Sequence, residues 1–596
     1  MENFFNDQNS SVEVGKEVLK RNYKILLNKF VRYLIPTMIT TIALSLNEFV
    51  DSMLVANLLG SEAMGIVNLG FPVMLLMAAI YTLLGTGGAT LYAICLGERQ
   101  PVKAGKILFL SLAAALFCGL LIFAVGKIFP EPLISLLCHE KTLTADFAPY
   151  FHALIFSAPF LIFVLTLVSF LPPSGAPALA TVVNVIANVV NLIMDYVYIT
   201  YFDMGVAGAA WATLTGYIAG ILILPIIFWR GGMKLHFYKA GRHDLNLLLE
   251  SATTGAAAAL TQLGFAIKFA FCNLLAATYG GTVGVVAFAF CLQIMSFVAV
   301  FYAGIIGAVL PILGVLHGER DFSGRHHLLK ISSLCELIIV SALVIWFEIA
   351  PQQAISIYNI TDPSAMSLAE RGLRIFALSF ILRSLCITFM YYLQILQKKY
   401  YAMIISLFDG FVGIVPLAWS MCQLMGMDGL WWTYLLNSIM LFVGILFWNY
   451  HLIRKPESNY TGLLLSERDE QAKQIWDFTM TSNVQDISFV SEQLCALGEK
   501  GGLNHKQAMR FGLAVEEMVV YTSNHINKQF PIDILVRLYD DRIEINFRSL
   551  GNSFSPLSDT DSDDKLNLRL LRALAVSLEY DYIMGMNSTK IILERK

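Results

Sequence analysis

Carboxylates within apolar stretches are the residues of this sequence whose types and spacing could carry chemistry. Glu48 and Asp51 lie in one apolar stretch, and Asp195 lies in another. Because a charged side chain at the centre of a membrane-spanning helix costs at least about 2.5–3.5 kcal/mol, such groups indicate function. Asn191 lies one helical turn before Asp195, and Asn188 lies one turn before Asn191, so the three share a helix face. Carboxylate, amide and hydroxyl oxygens suit a hard cation or an exchangeable proton.

The composition shows what kind of element positions these groups. Of the 596 residues, 57% are hydrophobic and only 14% are charged, with a mean hydropathy of +0.64. Soluble domains have about 25% charged residues, so the chain as a whole is not a soluble protein. Charged residues become frequent only after Lys455, which predicts a large membrane domain followed by a soluble domain. The net charge of −3 argues against a nucleic-acid partner.

The apolar segments predict an all-α polytopic membrane protein with twelve spans. A spanning helix needs about 20 mostly apolar residues, and twelve windows of that kind precede Lys455. Basic residues concentrate in alternate loops, so the positive-inside rule predicts a multi-pass protein of the cell membrane with both termini in the cytoplasm. The predicted domains are a cytoplasmic N-terminal segment (1–24), a first six-helix lobe (25–240), a second six-helix lobe (245–455), a linker (456–470) and a cytoplasmic tail (471–596). The nine cysteines stand singly, without the spacing of a metal site or a disulfide framework.

The two lobes are related by an internal repeat with a shift of 221 residues. Gly97-Glu98-Arg99 recurs as Gly318-Glu319-Arg320, and Met204-Gly205 recurs as Met425-Gly426. Two lobes of the same orientation are a transporter architecture, in which the substrate is handled between the lobes.

The repeat breaks at the polar positions. Under the same shift, Val412 stands in place of Asn191 and Pro416 in place of Asp195. Thr213 is likewise replaced by Tyr434, and Asp51 by Cys272. Only the first lobe therefore keeps a polar constellation, which predicts a cation or proton site there. The alternative is that these groups hydrogen-bond to one another and hold helices together.

Other polar groups in the spans are accessory candidates. Arg383 and Asp409 are predicted to pair with each other, since an isolated cation in a span usually finds a carboxylate. Lys268 and Gln262 are candidates for direct contact with a substrate. Glu48 and Asn188 are accessory candidates of the first-lobe site.

Residues 25–455 resemble the multidrug and toxin extrusion (MATE) transporters. The first span carries Pro36 and then Asp51, similar to the family's bending proline followed by an aspartate. Asn191 and Asp195 are similar to its Asn-x-x-x-Asp, and Gly205 to Thr213 to its Gly-x-x-Gly-Ala-Ala-x-Ala-Thr. The resemblance implies that the first-lobe residues Asp51, Asn191, Asp195 and Thr213 take up a proton or sodium ion in exchange for an exported drug, and that Pro36 bends the first helix. One departure is Pro172-Pro173-Ser174-Gly175, which replaces an Arg-containing loop and leaves the substrate class open.

The tail is predicted to be an α+β domain. Helices are expected at 483–499, 504–528 and 566–577, strands at 532–539, 542–548 and 588–594, and a polar loop at 551–564. The pattern resembles the GHKL ATPase fold of the anti-sigma-factor serine kinases. Remnants of that family's nucleotide site are Glu517, Asn524, His525 and Gly551.

The departures from that family predict a degenerate site. Tyr521 replaces the asparagine that would hold magnesium, and Ser549 replaces the aspartate that would read adenine. Lys565 and Asn567 replace two phosphate-loop glycines, so the backbone cannot form the same anion-binding nest. ATP binding is therefore doubtful, and the tail is interpreted as a regulatory module that a cytoplasmic protein could bind.

The sequence thus predicts a secondary transporter rather than an enzyme. It would export small amphipathic or cationic solutes by antiport with H⁺ or Na⁺, with no cofactor and no metal other than Na⁺ at the coupling site. The alternatives are a flippase for lipid-linked precursors and a transporter-derived membrane sensor that signals through its tail.

Overall fold

A computed structural model describes most of the chain. The described residues are 20–138, 141–229, 235–358, 362–455, 459–462, 464–467, 469, 471–480, 484–526, 531–557 and 565–595. They form two compact units. The tail unit comprises Met1–Val31, Arg320–Gly324 and Pro456–Lys596, and the helical unit comprises Arg32–Glu319 and Arg325–Lys455.

Sixteen α-helices precede Lys455 among the described residues. They are α1 Lys24–Leu59, α2 Ser61–Leu69, α3 Phe71–Tyr81, α4 Gly87–Gly97, α5 Pro101–Ile128, α6 Pro130–Leu137, α7 Lys141–Ser169, α8 Pro177–Thr200, α9 Val206–Trp229, α10 Leu245–Gly318, α11 Phe322–Ile349, α12 Pro351–Ile357, α13 Pro363–Ile395, α14 Lys399–Leu407, α15 Ile414–Met425 and α16 Met427–Ile453. A π-helical turn, Thr82–Thr86, joins α3 to α4, and another, Phe408–Val412, leads from α14 towards α15.

Eleven helices within the described residues are long and apolar enough to cross a membrane. One of them, α10, is interrupted at Gly281, where φ is 59° and ψ is −152°. This conformation is open to glycine and strained for other residues, so the chain turns there. Each part of α10 is long enough to span, and the break accounts for the difference from the twelve predicted spans.

The internal repeat is visible in the backbone. Left-handed φ values occur at Gly60 (89°) and Gly281 (59°), and again at Gly205 (54°) and Gly426 (62°). A further pair is formed by Arg99 (60°) and Arg320 (57°). All three pairs are separated by the repeat shift. Because such residues end or redirect helices, the two halves turn at equivalent positions.

The halves meet where two repeat-related glycines face each other. A Cβ atom on Gly97 would overlap the carbonyl oxygen of Val315, and a Cβ atom on Gly318 would overlap that of Ile94. The absence of side chains lets α4 and the end of α10 approach at backbone distance, as small residues do in membrane helix interfaces.

Gly97→Ala is expected to destabilise the protein by about 1–3 kcal/mol, since the added methyl group would displace the backbone of α10 and not a flexible side chain. The measurement is the thermal unfolding of the purified protein in detergent. Gly444→Ala is the control, because a Cβ atom there has no neighbour within 4 Å. Equal melting temperatures for the two variants would show that α4 and α10 do not need this close approach.

The tail contains a five-stranded antiparallel sheet in the order β3-β4-β5-β7-β6. Its strands are β3 Gln474–Met480, β4 Ile532–Leu538, β5 Arg542–Leu550, β6 Ser577–Ile583 and β7 Met586–Glu594, after a short hairpin of β1 Tyr460–Thr461 and β2 Ser466–Glu467. The helices are α17 Val484–Lys500, α18 His505–His525 and α19 Lys565–Leu574. Alternate residues of β4, such as Ile534 and Val536, pack with Phe511 and Met518 of α18 in an apolar core.

The tail helices and strands correct three sequence expectations. The region predicted as a linker contains the hairpin of β1 and β2, and strand β3 was not predicted next to it. The helix predicted at 566–577 ends at Leu574, and Ser577 already pairs with β7. β-sheet pairing with distant strands decides these segments, because their local pattern is short and mixed. Residues 558–564 of the predicted polar loop lie outside the described residues.

The other face of the sheet carries buried charges. Arg21, from the segment before α1, donates to Asp321 (2.9 Å), to Asp533 of β4 (3.2 Å) and to Asp477 of β3 (3.3 Å). Arg548 of β5 also donates to Asp321. Burial opposes ionisation of Asp321, but the two arginines outweigh it and hold the pKa of that carboxyl well below its usual range. Arg21 thus joins the N-terminal segment to the tail sheet within one unit.

Arg21→Met is expected to loosen the tail unit by about 3–5 kcal/mol, because it leaves buried carboxylates without their shared cation. Hydrogen–deuterium exchange of the full-length protein measures the effect as faster exchange in β3 and β4. Lys24→Met is the control, since it removes an exposed positive charge three residues further on. Unchanged protection of both strands in Arg21→Met would contradict the role given to Arg21.

Candidate functional site

The first-lobe residues singled out in the sequence come together between α1, α8 and α9. Asp195 is fully buried at 0% exposure, and its side chain directly adjoins that of Asp51. Asn191 donates from Nδ2 to Thr213 Oγ1 at 3.4 Å. Asn191 also accepts from Asn47 Nδ2 at 3.1 Å, so a second amide joins the constellation. The arrangement places carboxylate, amide and hydroxyl groups of three helices around one point.

The two facing carboxylates lack hydrogen-bond donors. Both carboxylate oxygens of Asp195 and Oδ1 of Asp51 have no partner among the described residues. Two like charges at close range in a medium of low dielectric repel each other strongly unless a proton or a cation lies between them. The pair therefore has the chemistry of a site that gains or loses one positive charge.

A small cavity adjoins this pair. Its volume is about 80 Å³, and Asp51, Asn68, Tyr150, Ser157 and Thr213 supply its polar lining. Oxygen ligands of this kind coordinate hard cations, and the volume admits a water molecule or a small ion. The cavity thus gives Asp51 a place where an ion or a water-borne proton could be exchanged.

Pro36 interrupts the hydrogen bonds of α1 about three turns after the helix begins at Lys24. Its carbonyl oxygen accepts from Thr181 Oγ1 of α8 at 2.8 Å and from Thr40 Oγ1 at 3.0 Å. Because proline has no N–H group, α1 lacks one backbone bond at this turn. Thr181 lies on the helix that also carries Asn191 and Asp195, so α8 contacts both the weakened turn of α1 and the acidic pair.

The accessory candidates of this lobe differ in their surroundings. The side chain of Glu48 is exposed, and it interacts electrostatically with Asp51, Tyr81 and Tyr217. Asn188 is buried, and its Nδ2 has no hydrogen-bond partner among the described residues. Glu48 therefore lies near Asp51, whereas Asn188 lies about two helical turns before Asp195 on α8.

Two polar residues of the site were missed in the sequence. Asn47 lies one helical turn before Asp51, the same spacing that drew attention to Asn191 and Asp195, so the signal was present. Thr181 carried no such signal, because a threonine in an apolar helix is common and its partner is a distant carbonyl group.

Two of the four equivalent positions of the second lobe lie in an apolar core. Cys272 and Tyr434, which replace Asp51 and Thr213, pack in one buried cluster with Phe376, Ile414 and Trp431. No cation ligand of the first-lobe kind stands there among the described residues. The acidic pair is thus confined to one half of a backbone that repeats in both.

The second lobe has a different polar cluster. Arg383 binds Asp409 through two bonds, from Nε to Oδ1 at 3.0 Å and from Nη2 to Oδ2 at 3.1 Å, so the predicted pair is present. Lys268 Nζ donates to the backbone oxygen of Asp409 at 3.0 Å and to Oδ2 at 3.4 Å. Gln262 lines the same cavity of about 420 Å³ as these three residues.

The tail residues singled out in the sequence lie on α18 and the loop after β5. Ring contacts connect Tyr521 to His525 (4.3 Å between centroids), His525 to Phe554 (5.3 Å) and Phe554 to Tyr580 (5.9 Å). Gly551 has a φ of 135° and accepts from the hydroxyl of Tyr582 at 3.1 Å.

The two remaining tail residues lie on the same helix. Asn524 is exposed near the end of α18. Burial, aided by Glu516, raises the pKa of Glu517. Aromatic packing between His525, Phe554 and Tyr580 is thus the main feature at this end of the domain.

The chain is similar to proteins of known class over its helical part. The MatE family model matches residues 36–197 and 257–419. The multidrug export protein MepA of Staphylococcus saprophyticus is 23% identical over 380 residues, which are 63% of this chain and 83% of that protein. MepA of Staphylococcus aureus strain MRSA252 is 22% identical over 404 residues, 67% of this chain and 88% of that protein.

Solved structures show the same fold. An outward-facing multidrug resistance MATE transporter of the MOP superfamily superposes with a TM-score of 0.66 at 22% identity, over 70% of this chain and 94% of that one. A MOP superfamily transporter from Pyrococcus furiosus, for which a binding pocket of reverse polarity is described, gives a TM-score of 0.64 at 21% identity, with the same coverage.

The full-length protein is expected to bind ATP with Mg²⁺ weakly or not at all, because Tyr521 and Lys565 occupy positions where the resembled enzymes need a magnesium ligand and a glycine. Equilibrium dialysis with radiolabelled ATP, followed by assay of released phosphate, provides the measurement. Glu517→Gln serves as a comparison and is expected to behave as the unaltered protein does. Micromolar ATP affinity with hydrolysis that Glu517→Gln abolishes would overturn the interpretation of a degenerate site.

Proposed function

The chain is a multi-pass membrane transporter of the MatE family, and we propose that it exports small amphipathic or cationic solutes from the cell in exchange for H⁺ or Na⁺. The observation that carries the proposal is the pair of adjoining carboxylates, Asp51 and Asp195, in which three of the four oxygens have no hydrogen-bond partner among the described residues. Export of drugs by the staphylococcal MepA proteins supports the substrate class. On this account the work of the protein is transport and not enzymatic catalysis.

The acidic pair supplies the coupling. With a proton or Na⁺ bound, repulsion between Asp51 and Asp195 is relieved, and α1 and α8 remain close together. When the cation leaves, the two negative charges favour separation of the helices. A transporter exchanges two solutes when each stabilises a different conformation, so the cation and the exported solute oppose each other.

Pro36 gives α1 the freedom to respond. Its missing backbone bond lowers the cost of a bend, while the hydroxyl groups of Thr40 and Thr181 satisfy its carbonyl oxygen. A bend at this turn changes the position of Asp51 relative to α8. We assign the larger movement to rocking of the two halves about the contact of Gly97 and Gly318, which exposes the cavity between them to one side at a time.

The tail unit is proposed to lie in the cytoplasm and to regulate this movement. The basic residues of the loops support this orientation. The tail unit includes Arg21, which binds the tail sheet and directly precedes α1, the helix that carries Asp51. A cytoplasmic protein that binds the tail would therefore act on the start of a helix involved in coupling.

Asp195→Asn is expected to abolish cation-driven export while leaving the fold intact, since an amide keeps the size of the side chain and removes its charge. The measurement is ethidium export from proteoliposomes under an imposed H⁺ gradient and, separately, an imposed Na⁺ gradient, with thermal unfolding as the check of folding. Asp203→Asn is the matched control, because Asp203 is an exposed carboxylate in the turn after α8. Export by Asp195→Asn at the rate of the control under both gradients would contradict the site.

A further inference from the structure

The cavity of the second lobe carries an excess of positive charge that the coupling mechanism does not use. We propose that this cavity binds an anionic group of the transported solute, a carboxylate, sulfonate or phosphate, through Lys268 and Arg383. The proposal rests on the export function proposed above and extends its substrate class to amphipathic solutes that bear a negative group.

The charge of the cavity wall is the first observation. Among the described residues that line it, the charged ones are Lys268, Arg383 and Asp409, two cations against one carboxylate. Their exposures are 1%, 7% and 3%. A charge held away from water without a counter-ion is costly, so an anion that enters the cavity is favoured over a cation.

The hydrogen bonds of the cluster are the second observation. A lysine has three donors and an arginine five, and a carboxylate is an acceptor only. Lys268 makes two bonds, both to Asp409, and Arg383 makes two to Asp409 and one to Tyr302 at 3.3 Å. Both cations therefore keep N–H groups that no described residue accepts, while both carboxylate oxygens of Asp409 are engaged. An oxyanion supplies the acceptors that are missing, and charged bonds of this type are the strong ones.

Another buried carboxylate of this half does not compensate the excess. Glu336 is fully buried and accepts from Thr388 Oγ1 at 2.8 Å. It is not part of the cavity wall. Glu48, Asp51 and Asp195, the carboxylates of the first-lobe site, are not part of this wall either.

The rest of the lining fits the apolar body of such a solute. Phe265, Met295, Ile306, Leu310 and Ile387 contribute apolar surface, and the cavity has a volume of about 420 Å³. Binding sites for small molecules are concave and mostly apolar, with a few polar groups that orient the ligand. In this cavity two of those polar groups, Lys268 and Arg383, are cationic.

Three probes with the same ring and different charge test the proposal. They are naphthalene-1-sulfonate, 1-naphthylmethylammonium and neutral 1-naphthalenemethanol, measured by equilibrium dialysis against the full-length protein in lipid nanodiscs. The sulfonate is expected to bind at least about tenfold more tightly than the ammonium ion, which corresponds to about 1.4 kcal/mol. Tighter binding of the ammonium ion would overturn the proposal.

Variants separate recognition of the anion from a structural role of the cluster. Lys268→Gln is expected to weaken sulfonate binding about tenfold and to leave the neutral probe unchanged, since one charged hydrogen bond is lost. Asp409→Asn is expected to strengthen sulfonate binding, because it removes the competing negative charge and one of the two competing acceptor oxygens. Lys330→Gln is the control, since it removes an exposed lysine outside the cavity. If both Lys268→Gln and Asp409→Asn weaken the three probes equally, the cluster is structural and the proposal is wrong.

Binding and transport are measured separately, so the proposal and the export function can fail independently. Thermal unfolding of each variant confirms that it is folded, and Lys268→Gln alone decides the matter if Asp409→Asn does not fold. Charge-dependent sulfonate binding without export under any cation gradient would leave the anion site in place and remove the antiport function. Export of ethidium by a protein that binds the sulfonate no more tightly than the other probes would support the antiport function and remove the anion site.

Discussion

Two carboxylates that face each other, with three of their four oxygens buried and unpartnered among the described residues, are the constraint on which this structure depends. Asp51 and Asp195 belong to α1 and α8, so the state of the pair bears directly on the distance between two helices. Close contact between these two carboxylates is unfavourable when both are ionised, and it becomes favourable when they share one positive charge. The turn at Pro36, with its bonds to Thr40 and Thr181, lies on the same two helices. On this account α1 bends at that turn when the charge of the pair changes.

The scaffold is symmetric and its chemistry is not. Backbone turns at Gly60 and Gly281 and the glycine contact of α4 with α10 occur at repeat-related positions. The first lobe places acidic groups on this framework, whereas the second lobe has no carboxylate at the equivalent positions and carries a cationic cluster elsewhere. Because the two lobes differ in charge, the coupling ion and the solute can bind at separate sites, one on each lobe.

The membrane helices and the acidic residues could be predicted because a lipid bilayer restricts which backbone structures and which side chains it accommodates. Apolar segments of sufficient length must be helices, and a carboxylate such as Asp195 within one is conspicuous. Contacts between distant parts of the chain could not be predicted in this way. Arg21 reaches Asp321 and Asp533, which are 300 and 512 residues away, and nothing in its local sequence indicates either partner. The likeness of the tail to nucleotide-binding domains stays a prediction, since its aromatic packing is compatible with other roles.

The most direct test of the account is to measure ion movement driven by the solute. Proteoliposomes of the unaltered protein, with a pH indicator or a Na⁺ indicator inside, would be exposed to a gradient of ethidium with no ion gradient imposed. Exchange predicts that H⁺ or Na⁺ moves in the direction opposite to the dye, and that the ion flux stops when the dye gradient is dissipated. Dye transport without movement of either ion would contradict the central claim that the acidic pair couples export to a cation.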